Sequence, residues 1–203
     1  MTNRNNAGLR NILIVFIFLA GFPFVSYSQV QIYGKSPLYA GETMTFYAYS
    51  DYITRDTIHL ASLRVEDDGS FQVSFGVEQI RKIFVNLGIY KGYLYVEPGK
   101  HYGLVLPNKK EKNRTQQLNP YFEPVPLHIG VTKSGKNDLN YQISRFSDFY
   151  DQVINKNANN VKNLARHKDS IYNLLDTLVT SDHVFFQNFK SYSLARLKLS
   201  LGN

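Results

Sequence analysis

A change of apolar period, from two to about 3.6, divides this chain and constrains its fold more than any other feature. From Gln29 to Leu106 apolar residues alternate with polar ones, as they do in strands with one buried and one wet face. Val30–Tyr33, Thr43–Tyr49, Ile58–Val65, Phe71–Phe75, Lys82–Leu87, Tyr93–Val96 and His101–Leu106 read as seven short strands. Glu66-Asp67-Asp68-Gly69-Ser70 is the sharpest turn signal, because Asp-Gly supplies the positive φ that a tight hairpin needs. No helix long enough for a parallel crossover intervenes, so an antiparallel sandwich over residues 29–107 is expected.

Residues 108–136 read as a connector. Lys109, Lys110, Lys112 and Arg114 face only Glu111, a charge run of the kind that marks solvated loops. The prolines at 120, 124 and 126 then hold the chain extended, suited to an eighth strand at a sheet edge. From residue 137 to 203 the period is helical. Leu139, Ile143, Phe146, Tyr150, Val153 and Ile154 share one face behind a cap at Asn137 or Asp138. Val161, Leu164, Ile171, Leu174, Leu175 and Leu178 trace a second helix. A third, capped by Ser181 or Asp182, carries Phe185, Phe189, Tyr192 and Arg196 on one stripe and Phe186, Leu194, Leu197 and Leu201 beside it. Such breadth demands cover on two sides. The strand domain, another chain, or a segment missing from a truncated protein could each provide it, and the stripe Phe185, Phe189, Tyr192, Arg196 is the expected partner face. The fold class is therefore α+β: an antiparallel β-sandwich of seven or eight strands followed by about three helices.

The first 28 residues set the compartment. Arg4 and Arg10 lie in an acid-free leader, Ile12–Ala20 is continuously apolar, and Ser26-Tyr27-Ser28 places small residues where a signal peptidase reads. Cleavage between Ser28 and Gln29 is expected, since the apolar run is too short to span a bilayer. Removing 28 of 203 residues leaves 175, and losing two arginines takes the formal charge from +7 to near +5. The chain has no cysteine, which excludes disulfides, thiol catalysis, thiolate zinc sites and a lipid-modified N-terminal cysteine. The expected product is periplasmic or secreted, is not a lipoprotein, makes no stable membrane insertion after cleavage, and rests on an aromatic core drawn from the 14 Tyr and 10 Phe that remain of the chain's 15 and 14. Export, and the lack of aromatics interleaved with the basic run, argue against nucleic acid.

Catalytic motifs do not surface. His59, His101, His128, His167 and His183 have no metal-ligand spacing. Neither a Gly-x-Ser-x-Gly elbow nor a Ser-x-x-Lys pair occurs, and Lys133-Ser134-Gly135-Lys136 lacks the full phosphate-loop pattern. Glu97, in a turn after a strand, has no second carboxylate at a glycosidase separation in sequence. No catalytic residue, metal site or cofactor is expected. Asp56-Thr57-Ile58, Asp169-Ser170-Ile171 and Asp176-Thr177-Leu178 match an Asp–hydroxyl–aliphatic sequon for bacterial O-glycosylation, which makes Thr57, Ser170 and Thr177 modification candidates. Asn113-Arg114-Thr115 matches the N-glycosylation acceptor.

Leu38–Glu42, Asp67-Asp68-Gly69-Ser70-Phe71 and Tyr93–Tyr102, with Glu97-Pro98-Gly99 inside it, carry a further likeness. This stretch resembles the N-terminal β-sandwich domain of exported Gram-negative bacterial proteins, a domain that often precedes a thioredoxin-like thiol–disulfide oxidoreductase domain. The resemblance implies export, a sandwich fold and an accessory role. The redox domain and its Cys-x-x-Cys are missing, so oxidoreductase activity does not carry over. Three functions are open: a non-enzymatic envelope interaction protein, a truncated or divergent member of an envelope enzyme family, and a glycan-binding module using exposed tyrosines such as Tyr90, Tyr93 and Tyr95.

Overall fold

The computed structural model describes residues 28–51, 53–132, 134–158 and 167–200. Residues 1–27 of the leader, Val161, Leu164 and Leu201 lie outside the described residues. Nine strands form: β1 (Gln29–Lys35), β2 (Thr43–Tyr49), β3 (Thr57–Arg64), β4 (Ser70–Gly76), β5 (Arg81–Leu87), β6 (Tyr90–Val96), β7 (His101–Val105), β8 (Val125–His128) and β9 (Gly130–Val131). Among the described residues four α-helices accompany them: α1 (Arg114–Leu118), α2 (Leu139–Ala158), α3 (Lys168–Leu178) and α4 (Val184–Ser200). One sheet is ordered β4-β1-β7-β9 and the other β3-β2-β5-β6-β8.

Both sheets are mixed, which corrects the antiparallel expectation. β1 pairs with β7 in parallel, Ile32 opposite Tyr102, and β6 pairs with β8 in parallel, Gly92 opposite Leu127. A parallel pair needs a long crossover. Here each crossover runs through strands of the opposite sheet in place of a long helix, so the missing helical signal was no guide. The segment read as a connector also contributes β8 and β9, one to the edge of each sheet.

The Asp-Gly turn forms, with Gly69 at φ +82° and the Ser70 N–H donating to Asp68 Oδ1 at 2.9 Å. It turns a corner between sheets, so β4 pairs with β1 while β3 pairs with β2. A Cβ on Gly69 would sit 2.5 Å from the Pro37 nitrogen. Gly69→Ala is therefore expected to cost about 1–2 kcal/mol from positive φ and backbone crowding together. Urea denaturation checks this, and an unchanged midpoint would refute it.

Two cores result. The inner faces of the sheets bury Ile32, Met44, Phe46, Ile83, Leu87, Leu94 and Tyr102, each no more than 2 % exposed. The helices close a second core around Leu139, Ile143, Phe146, Leu175, Phe186 and Leu194, joined by Tyr95 from β6. Past the end of β8, the edge of β6 lacks a neighbouring strand. There Asn140 of α2 stands in for one: its Oδ1 accepts from the Tyr95 N–H and its Nδ2 donates to the Tyr95 carbonyl, both at 2.8 Å. That double bond seats the helical layer at one end of the outer face of the five-stranded sheet.

Candidate functional site

The rest of that outer face carries a continuous row of rings. Strand pairing aligns His59 with Tyr47, Tyr47 with Phe84, Phe84 with Tyr93, and Tyr93 with His128. One row of ring side chains thus crosses all five strands, since paired residues share a face. Neighbouring rings touch: Tyr47 and His59 lie edge to face at 6.0 Å, Tyr47 stacks on Phe84 at 5.6 Å, and Phe84 meets Tyr93 at 6.2 Å. Tyr49, two residues along β2, adds a ring 4.8 Å from Phe84. Phe84 is 3 % exposed although it points away from the sandwich core. It is the floor, and Tyr47, Tyr49 and Tyr93, all part-exposed, are the surface.

Two lysines lie on these rings. Lys91 Nζ is 3.9 Å from the Phe84 centroid and donates to the Tyr49 hydroxyl at 2.6 Å. Lys82 Nζ is 4.1 Å from the Tyr93 centroid. Each gains cation–π attraction. Among the described residues neither has a carboxylate within ion-pair distance. Burial opposes ionisation of Tyr49, but the hydrogen bond and charge of Lys91, with help from Tyr93 and Arg55, outweigh it and draw its pKa below 10. Burial, then the charge and hydrogen bond of Tyr49, push Tyr93 up to about 12. Burial lowers the Lys82 pKa, and the charge of Lys91 adds to that effect. Ring faces for apolar contact and ammonium groups for polar contact therefore share one open sheet surface.

A second polar cluster sits where the sandwich meets the helices. Glu97, 8 % exposed, accepts from Lys100 Nζ at 2.7 Å through Oε1 and from His183 Nε2 at 3.1 Å through Oε2. The Glu97 N–H donates to the Tyr102 hydroxyl at 2.9 Å. His183 Nδ1 is buried with no hydrogen-bond partner among the described residues. The tautomer with its proton on Nε2 suits this position, because it satisfies Glu97 and leaves only a lone pair unpaired. Ser181 Oγ accepts from the His183 N–H at 3.0 Å and donates to Gln142 Oε1 at 2.9 Å. An open cleft of about 480 Å³, lined by Asn137, Gln142, Thr180, Ser181, Asp182 and His183, lies alongside. With the Ser181 hydroxyl committed to Gln142, it is not aligned as a nucleophile on His183, and the cluster reads as a joint. Among the described residues, no group of three His, Asp or Glu could hold a metal ion.

The structure separates the residues singled out from sequence. Phe185 and Phe189 pack edge to face on Tyr95, at 5.7 and 6.1 Å. The strand domain itself thus covers that half of the proposed partner stripe. Tyr192, 79 % exposed, and Arg196 stay in solvent. Thr57 opens β3 and is exposed, as is Ser170 on α3. Thr177 is exposed too, but its hydroxyl donates to the Asn173 carbonyl at 2.9 Å. Ser28 lies beside Gly99 and Gln29 begins β1. Asn113 caps α1, accepting from the Gln116 N–H at 2.9 Å. Two of the four cations in the basic run meet partners within the chain. Lys109 bonds Glu42 at 2.8 Å and Glu111 at 3.0 Å, and Lys112 lies over Phe122 at 4.7 Å.

Of the three tyrosines named for glycan contact, only Tyr93 is on the open row. Tyr90 packs against the sandwich core and Tyr95 lies under the helices. Tyr47, Tyr49, Phe84 and the two lysines escaped the sequence reading. The available signal was that outward strand positions, usually Thr, Lys or Glu, carry rings here. No family model, curated protein or solved structure matches this chain. Among the described residues no helix is long and apolar enough to cross a membrane.

Proposed function

We propose that the mature chain works outside the cytoplasm as a non-enzymatic binding protein of the bacterial cell envelope. In this reading the open part of the five-stranded sheet holds a carbohydrate chain without cleaving it. The observation that carries this is the row of rings in register across five strands, with tyrosines left part-exposed above a buried Phe84. Cross-strand ring pairs stabilise a sheet on their own. The tyrosines here offer more, presenting apolar faces together with hydroxyl edges, the amphipathic character that suits sugar rings. The basic leader and the cysteine-free composition support export. The Glu97–His183 cluster supports a non-enzymatic role, because its hydrogen bonds tie two layers together.

The test is a glycan array probed with the mature protein and with the Tyr47→Ala/Tyr93→Ala double variant. The wild type is expected to retain at least one glycan, recovered at unchanged length. The double variant should bind it roughly tenfold or more weakly, as for rings central to an interface. If no glycan is retained, or the double variant binds as well as the wild type, the reading fails.

A further inference from the structure

We infer that the carbohydrate held on this face is acidic, with its carboxylate or sulfate groups seated on Lys91, Lys82 and Arg55 around the Tyr49 and Tyr93 hydroxyls. This rests on the carbohydrate reading above and adds the ligand's charge. Lys91 spends one of three donors on Tyr49 at 2.6 Å. Lys82 meets rings rather than carboxylates, at 4.1 Å from Tyr93 and 5.9 Å from Tyr95. Arg55, on the β2–β3 loop, is close enough for its charge to act on both Tyr49 and Tyr93.

A solvated surface lysine normally reaches into water or finds an acid. Two lysines folded back onto rings, with an arginine whose charge reaches the same tyrosines, concentrate positive charge over an apolar floor. Among the described residues no nearby acid forms an ion pair with Lys82 or Lys91. Asp51 is committed to its own loop, accepting from the Ile53 and Thr54 N–H groups at 2.7 Å. Asp148 and Asp151 act on His128, at the margin by α2. A neutral sugar would leave the ammonium groups half satisfied. An anionic group would give them charge-assisted hydrogen bonds, about twice as strong as neutral ones, while the adjoining rings take the sugar's apolar face. The surface is open and spans five strands, which fits a polymer better than a monosaccharide. A mature formal charge near +5 draws such a polyanion in.

The experiment titrates the mature protein with alginate as the uronate polymer, dextran sulfate as the sulfated one and dextran as the neutral one. Lys82→Gln/Lys91→Gln is compared with Lys35→Gln/Lys110→Gln, which removes the same charge elsewhere, and with Lys91→Arg, which keeps it. Circular dichroism confirms that each is folded. The wild type is expected to bind at least one acidic polymer, more weakly as salt rises, and to prefer it to dextran. Lys82→Gln/Lys91→Gln should lose at least tenfold in affinity, the distant pair less than twofold, and Lys91→Arg should retain most of it. Which acidic polymer binds identifies carboxylate or sulfate as the seated group. Equal binding of dextran with no salt dependence would overturn the acidic assignment and leave the carbohydrate reading standing. An equal loss from both lysine pairs would also overturn it, showing bulk charge alone. Binding to no polymer overturns both.

Discussion

Replacing Phe146 with alanine should melt the helical layer while the sandwich stays folded. Phe146 is 1 % exposed, and Tyr150, Phe186 and Phe189 each surround it with ring centroids at 6.1 Å. Removing a buried ring costs about 3–5 kcal/mol, because the lost contacts leave a cavity that neighbours fill only in part. The three helices have little to fall back on, since helices in proteins owe most of their stability to packing of an apolar face rather than to intrinsic propensity. Their core is separate from that between the sheets, and Tyr95 of β6 belongs to the helical one. The loss should therefore be local. In guanidinium the variant is expected to show an early loss of helical circular dichroism, while the amides of Phe46 and Val85 keep their protection from hydrogen exchange. If every amide loses protection together, the two layers form one cooperative unit and the prediction is wrong.

That separation was partly legible in the sequence. The period change after Gly135 and the Asp67-Asp68-Gly69 turn report local chemistry, and each forms where expected. Period two also places Tyr93 and Tyr95 on one face and Tyr90 on the other, as the structure has them. What period two cannot report is which strands are neighbours. The ring row depends on β2 lying beside β5 and on β6 beside β8, pairs distant in sequence and chosen by how the two sheets close on each other. Likewise Tyr95 reads as an exposed strand residue until α2 and α4 settle on it. Glu97 and His183 are 86 residues apart, so no spacing rule could bring them together. Local signals name the elements, and the site arises from their long-range order.

The joint between the layers gives the other large expected effect. Glu97→Ala should cost about 2–3 kcal/mol, somewhat below the range for breaking a fully buried pair, because Lys100 is half exposed and can turn to water. His183 cannot escape as readily, being only 23 % exposed, with Nδ1 already unpartnered. Burial of Glu97 opposes its ionisation, but the hydrogen bonds of Lys100 and His183, with the charge of Lys100, outweigh this and hold its pKa below the ordinary 4.5. A carboxyl with a depressed folded-state pKa binds its proton more readily when unfolded. Its stabilisation is therefore complete above about pH 4.5 and drains away as pH falls through the folded value. Glu97→Gln keeps the shape and removes this proton linkage, so it should cost less than alanine at pH 7 and flatten the fall in stability below pH 4.5. Urea midpoints of wild type and variant from pH 3 to 7 decide the matter. Parallel curves would show that Glu97 fills space at the joint without contributing its charge, whereas curves converging towards acid would show the charge itself holding the helices to the sandwich.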